Sequence, residues 1–266
     1  MIRFRLLPVL VVLTVILGLP AAAGPAPARA ADLTAGDVAA MLRSDINAGR
    51  KARGLVVYRT WDALAALAQE RAEAMAAVRT LSHTAAGGDL GPLLDTRGVD
   101  WFGYGETIGM SGWPWGEDAA HDIYAMWKAS APHRAILFSS DFNYIGIGVA
   151  RADDGSTWVS ALMTESRDHT APTARTRSLI RSGRTLVYRW TGADRRLQTH
   201  TAGLRSFNVQ LRRDDREWRT IRDDTTATRL TLRHRTRGHS YYFRVQAADR
   251  RGTLSSWTTE VRIWVP

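Results

Sequence analysis

Two histidines and a glutamate, in three well-separated segments, are the residues of this 266-residue chain best suited to chemistry. They occur in Ser82-His83-Thr84, Gly105-Glu106-Thr107-Ile108 and Pro132-His133-Arg134. Two imidazoles and a carboxylate folded into one cavity could ligate a divalent metal with a coordination position left open for water, or could pass protons. Ser82 adjoins His83, but sequence neighbours rarely face each other productively, and the chain has no Gly-x-Ser-x-Gly elbow to present a nucleophile. Taken singly, each residue also has a structural reading. His83 could be a hydrogen-bonding loop residue, Glu106 a buried carboxylate that anchors a loop, and His133 a cap for its neighbours.

The elements around these residues can be read from hydrophobic spacing. Thr34 followed by Asp37 fits a capping box. Val38, Met41, Leu42 and Ile46 continue it as a helix that Gly49 or Gly54 should end. Thr60 is placed to cap a second helix with the stripe Trp61, Leu64, Ala65, Ala68, Ala72, Met75 and Ala76; its alanines allow close packing. His83 then falls in the loop just beyond a rigid element. Residues 85–103 are punctuated by glycine and predict irregular chain, and Glu106 opens a short apolar segment that reads as a strand edge or a sheet-facing turn. Gly112-Trp113-Pro114-Trp115-Gly116 is a rigid aromatic loop whose tryptophans either pin it to the core or form a carbohydrate or lipid platform. Ala120, Ile123, Tyr124 and Trp127 mark a third helix, and Pro132 suits the first turn of a short fourth. His133 would sit at that start, where the macrodipole favours the neutral ring that a ligand or base requires. Strands over 144–150 and 157–163, joined by Asp153-Asp154-Gly155-Ser156, complete a set of helices around a small antiparallel sheet.

Composition sets the setting. Arg3 and Arg5, the apolar stretch 6–19 and Ala28-Arg29-Ala30 read as a signal peptide over 1–30, with an uncleaved anchor as the alternative. The rest of the chain is expected to be secreted, extracellular or in the cell envelope. There is no cysteine, so core burial alone must hold the fold together. Residues 31–170 carry 12 Lys and Arg against 18 Asp and Glu, a net of −6; residues 171–266 carry 21 Arg against 8 Asp and Glu, a net of +13. Such asymmetry marks a boundary and suggests an anionic partner for the tail, such as a cell-surface polymer or membrane headgroups. The bland reading is solvated strand faces, or attraction between the two halves. No phosphate loop, dinucleotide fingerprint or nucleic-acid motif is present, so a specific nucleic-acid partner is not expected.

Residues 169–177, rich in Thr, Ala, Pro and Arg, read as a linker. Beyond them the period changes to short strands over 186–190, 207–211, 229–232, 241–247 and 261–265. In the fourth, Tyr241, Phe243, Val245 and Ala247 share one face, and Arg244 and Gln246 the other. This is the pattern of a β-sandwich.

The succession Asn47-Ala48, Ser82-His83, Gly105-Glu106-Thr107, Trp127, His133-Arg134 and Gly146-Ile147-Gly148-Val149 resembles the bacterial branch of the CAP (SCP-like, cysteine-rich secretory protein) superfamily over residues 35–166. Trp190 and the later Tyr241-x-Phe243-Arg244-Val245 run resemble a fibronectin type III domain, with Tyr241 in the tyrosine-corner position. The resemblance implies an α+β chain: a three-layer αβα CAP sandwich over 31–168, then an all-β fibronectin III-like sandwich over 178–266. It also implies that His83, Glu106 and His133 line one central cavity and form a metal site for an ion such as zinc. Many CAP proteins carry a second glutamate after the helix tryptophan; Ser130 stands near that place here, which removes one candidate ligand and acid. The leading expectation is extracellular binding of a metal or small amphipathic ligand in the His/Glu cavity, with the basic sandwich as an adhesion module. The alternatives are a metal-dependent hydrolase acting on peptide or cell-wall material, and a structural envelope protein.

Overall fold

Two glycines fix how the first half packs. The computed structural model describes residues 33–266; the signal segment expected over 1–30 lies outside the described residues. Strands β1 (Arg59–Thr60), β2 (Gly103–Ser111), β3 (Tyr144–Arg151) and β4 (Thr157–Glu165) form one sheet in the order β1-β3-β4-β2, with only the β1–β3 pair parallel. Helix α2 (Asp62–Val78) lies across β3 so closely that a Cβ on Gly146 or Gly148 would overlap the backbone of Leu64, Ala65 or Ala68. The Gly-x-Gly motif is thus a helix-docking groove, matched by small residues on the helix.

The other sheet face is covered by α1 (Ala35–Lys51) and α4 (Glu117–Ala129), which bury Val38, Leu42, Ile46, Ile123 and Trp127 against Ile145, Val149, Val159, Ala161 and Met163. Three layers result, and β4 is buried along nearly its whole length. The capping box forms: Thr34 Oγ1 accepts from Asp37 N at 3.2 Å, and Asp37 Oδ2 from Thr34 N at 2.9 Å. Asn47 holds the far end of α1 to the sheet edge, exchanging hydrogen bonds with both main-chain groups of Tyr58. Two expectations change. The second helix is capped by Trp61, which gives no side-chain cap bond, while Thr60 belongs to β1. Within 85–103 a short helix, α3 (Leu90–Thr96), forms around Leu90 and Leu94. A further short helix, α5 (Ala131–Leu137), carries His133 as expected.

The second half is a sandwich of two antiparallel sheets. One has the order β5-β6-β9, from β5 (Thr173–Ser182), β6 (Thr185–Ala193) and β9 (Arg229–Leu232). The other has the order β11-β10-β7-β8, from β7 (Leu204–Arg213), β8 (Arg219–Thr225), β10 (His239–Asp249) and β11 (Val261–Val265). This seven-strand arrangement is that of a fibronectin type III domain. Tyr188, Trp190, Phe207, Tyr241, Phe243 and Val245 fill its core. The tyrosine corner closes as expected: Tyr241 Oη donates to Thr236 O at 3.2 Å and accepts from Thr236 N at 3.0 Å. On the outer face Arg212 lies 3.8 Å from the Tyr242 ring, and Arg244 lies 4.3 Å from Trp218 and 4.8 Å from Trp257.

Two tail strands escaped the hydrophobic pattern. Thr173 to Arg177, read as linker, is the first half of β5, because an edge strand needs few apolar residues. Strand β8 has the polar sequence Arg-Thr-Ile-Arg-Asp-Asp-Thr. The halves also share a core: Leu197, in the β6–β7 loop, is buried with Leu64, Leu67, Tyr144 and Leu162. Around it Gln198 Oε1 accepts from Val56 N at 2.8 Å, and Asp168 Oδ2 accepts from Ala202 N at 2.8 Å.

Candidate functional site

Glu106 lies in β2 opposite Leu162 of β4, on the sheet face covered by α2. Facing it from α2 is Arg71, a fully buried arginine within an otherwise small and apolar stripe. The carboxylate is saturated. Oε1 accepts from Arg71 Nε at 2.8 Å and Ser160 Oγ at 2.9 Å; Oε2 accepts from Arg71 Nη2 at 3.0 Å and pairs with His83 Nδ1 at 2.9 Å. Arg71 spends its remaining donors on the loop that carries His83, through Ala85 O at 2.7 Å, Gly88 O at 3.2 Å and His83 O. One guanidinium therefore bolts the carboxylate to the loop. Such a charge-assisted, bidentate arrangement is both strong and directional.

The His83 side chain is 60% exposed. With Nδ1 on Glu106, Nε2 is left facing outward, the geometry in which a carboxylate sets the tautomer of a ligating imidazole. His133 approaches from the start of α5. Partial burial, and then the His83 charge, hold its imidazole below the usual histidine range, so it is neutral at physiological pH. His83 and Glu106 line an open cleft of about 380 Å³ with Asp89, Leu90, Pro92 and Tyr104, and His133 is not among its lining residues.

Sequence reading placed His83, Glu106 and His133 in one ligand set. The structure brings His83 and Glu106 into direct contact and His133 within electrostatic reach of His83. Among the described residues no group of three His, Asp or Glu side chains is arranged to hold one ion. The physical reason is Arg71, which with Ser160 and His83 uses the acceptor positions of Glu106. Glu106 stands behind His83 as an orienting group. Arg71 and Ser160 were not singled out in the sequence. The signal available was a charged residue in the buried stripe, between Ala68 and Ala72.

The lesser candidates resolve plainly. Ser82 Oγ lies 3.0 Å from Thr84 Oγ1 and accepts from Thr84 N at 3.1 Å, so it closes the turn. Arg134 donates to Lys128 O at 2.9 Å and Ala129 O at 3.1 Å, capping the end of α4. Trp115 donates from Nε1 to Leu33 O at 2.7 Å and packs on the core, whereas Trp113 is 59% exposed. His121 bridges α4 to α1 through Asp45 Oδ2 at 2.6 Å; with Glu117 as the larger influence, these carboxylates raise its pKa. His169 packs on Trp61 with ring centroids 4.3 Å apart and bonds Asp100.

With this geometry in place, comparison defines the class. The family model of the Cysteine-rich secretory protein family, CAP, matches residues 44–162. That part of the chain is a CAP domain, followed by a fibronectin III-like sandwich. An outer surface protein of Borrelia burgdorferi is similar at 20% identity and a TM-score of 0.46, over 51% of this chain and 97% of that one. An extracellular SCP-domain protein of Bacillus anthracis is similar at 20% identity and a TM-score of 0.43, over 49% of this chain and 41% of that one. For the tail, a Fn3-like protein of Clostridium thermocellum is similar at 24% identity and a TM-score of 0.27, over 36% of this chain and 96% of that one. No curated protein matches the chain.

Proposed function

We propose that this is an exported binding protein whose CAP cleft takes a divalent cation or a small amphipathic ligand, with the basic sandwich holding it to an anionic surface. The observation that carries the cleft is the 2.9 Å His83–Glu106 contact, whose carboxylate is itself fixed by Arg71. A carboxylate that orients one imidazole nitrogen leaves the other ready to bind, and preorganisation of that kind is what metal-ligating histidines use. His83 and His133 would hold the ion, and zinc bound there would supply Lewis acidity. Two protein ligands make a weaker site than three or four. The apolar edge of Leu90, Pro92 and Tyr104 beside His83 suits the nonpolar part of a small ligand. Export rests on the segment 1–30. Among the described residues no helix is long and apolar enough to cross a membrane. The anionic partner rests on the net of +13 over residues 171–266.

Thermal unfolding with and without zinc tests the cleft. A ligand that binds only the native state stabilises it by about 2.7 kcal/mol when present at about 100 times its Kd. Full-length protein should show a rise in Tm of several degrees, and Glu106→Gln should need more zinc for the same shift. If the His83→Ala, His133→Ala double variant responds to zinc as the parent does, the reading fails.

A further inference from the structure

At the junction of the two domains, among residues separate from those of the His83 cleft, two arginines meet, neither of them in an ion pair. Arg59 comes from β1 of the CAP domain, held in register with Tyr144 of β3. Arg195 comes from the β6–β7 loop of the sandwich, two residues before the buried anchor Leu197. They line a cleft of about 440 Å³ with Trp61, Asp62, Tyr144 and His169. Among the described residues neither guanidinium has a carboxylate within 4.0 Å, and Arg59 Nε is buried with no hydrogen-bond partner. Burial, and then the Arg195 charge, lower the Arg59 pKa from its ordinary value. Asp168 favours the Arg59 charge from a distance, but the nearest acidic groups are bonded to neither arginine. Asp168 spends its carboxylate on Thr170 N, Thr170 Oγ1 and Ala202 N. Asp62 sits on the first turn of α2, exposed and bonded to neither arginine.

Two like charges held together, one of them with a buried unmet donor, are costly unless something answers them. The cleft also has an aromatic wall, because Trp61 is kept in place by its 4.3 Å tilted contact with His169 and its 5.5 Å contact with Tyr144. Arg195 lines a neighbouring hollow with Arg175 and Arg177 as well, which strengthens the positive field at the mouth.

We propose that this interdomain cleft is a binding site for a small oxyanion carried on a sugar-sized group, with Arg59 and Arg195 clamping the anion and Trp61 supporting the ring. Guanidinium forks suit carboxylate and phosphate oxygens equally, and a pocket of this volume admits one such unit. Because one arginine comes from each domain, the ligand would also fasten the sandwich to the CAP domain.

Calorimetric titration of the full-length protein tests this with glucose 6-phosphate, glucuronate, inorganic phosphate and glucose as probes. Binding is expected for glucose 6-phosphate or glucuronate, weaker binding for inorganic phosphate, and none for glucose. Which of the two sugar anions binds more tightly tells a phosphate source from a carboxylate one. Arg195→Gln is an exposed change that should leave Tm unaltered while weakening binding at least tenfold, and Arg59→Gln should do the same. Asp62→Asn removes the one carboxylate on the cleft wall and should tighten binding two- to threefold. Arg216→Gln, on the far end of the sandwich, should change nothing. The proposal is overturned if no sugar anion binds, if glucose binds as well as they do, or if Arg195→Gln binds like the parent.

Discussion

The two halves of the molecule use arginine in opposite ways. In the CAP domain Arg50 and Arg71 are fully buried and serve as internal fasteners. Arg50 donates to Val56, Leu137 and Ser139 carbonyls and lies 3.7 Å over the Tyr58 ring; Arg71 joins Glu106 to the His83 loop. In the sandwich the arginines face outward, where Arg212 and Arg244 stack among Tyr242, Trp218 and Trp257. Arg213, Arg216, Arg219 and Arg235 line a hollow of about 240 Å³. A buried guanidinium acts through fixed hydrogen bonds and an exposed one through its field. The same residue type therefore builds a site in one half and a surface in the other.

The strongest way to break that contrast is Arg71→Met. Removing one partner of a buried ion pair leaves the other desolvated and unpaired, a loss of about 3–5 kcal/mol. Chemical denaturation should show that loss, and exchange at the amides of residues 82–88 should accelerate because their carbonyl anchors have gone. A double variant, Arg71→Met with Glu106→Gln, should recover part of the stability but not the fixed orientation of His83. A loss below about 1 kcal/mol would mean that water replaces the guanidinium without cost and that the bolt is not structural.

This bolt also marks where sequence reading stopped. His83, Glu106 and His133 stood out because their motifs stand beside distinctive neighbours. Arg71 did not, since one charged residue inside an alanine-rich stripe looks like an excursion to the solvent face. Periodicity reports which face is apolar on average; it does not report a single buried charge whose partner arrives from a strand 35 positions further on. Helices α1, α2 and α4 and strands β3, β4 and β10 were legible because their apolar residues alternate or recur at helical spacing. Strands β5 and β8 were not, because edge strands hold their place through backbone pairing to β6 and β7. The contact between domains was equally hidden: one leucine in a loop carries no periodicity at all.

That leucine gives the next test. Leu197 is 1% exposed, and truncating a buried leucine to alanine costs about 2–5 kcal/mol where the site cannot collapse. Here the seam between two domains can partly close, so Leu197→Ala should fall near about 2 kcal/mol. The consequence should be located as well as measured. Limited proteolysis should open the segments around residues 166–172 and 194–203 before either domain core is cut. If the variant unfolds in one transition with both cores cleaved together, the domains are a single cooperative unit. If stability is unchanged, the loop rests on the CAP domain without anchoring to it.

The smallest effect belongs to the outward arginines, and it separates field from fold. Arg216 and Arg219 are exposed, so replacing both by glutamine should change folding stability by no more than about 0.5 kcal/mol. Each arginine near an anionic surface contributes about 1 kcal/mol of attraction at ordinary ionic strength, roughly a fivefold change in affinity. Co-sedimentation of the full-length protein with vesicles rich in phosphatidylserine should therefore weaken by more than tenfold in the double variant. The parent should itself dissociate as salt rises from about 50 mM to about 500 mM, because the screening length shortens severalfold. Arg50 and Arg71 add to the same formal charge but are enclosed in the protein, so the vesicle affinity should follow the exposed arginines and not the total. Retention that survives high salt would assign the contact to a shaped pocket. Retention that ignores the Arg216 and Arg219 changes would move the attractive surface to another arginine face, with the strand edge bearing Arg175 and Arg177 the first to examine.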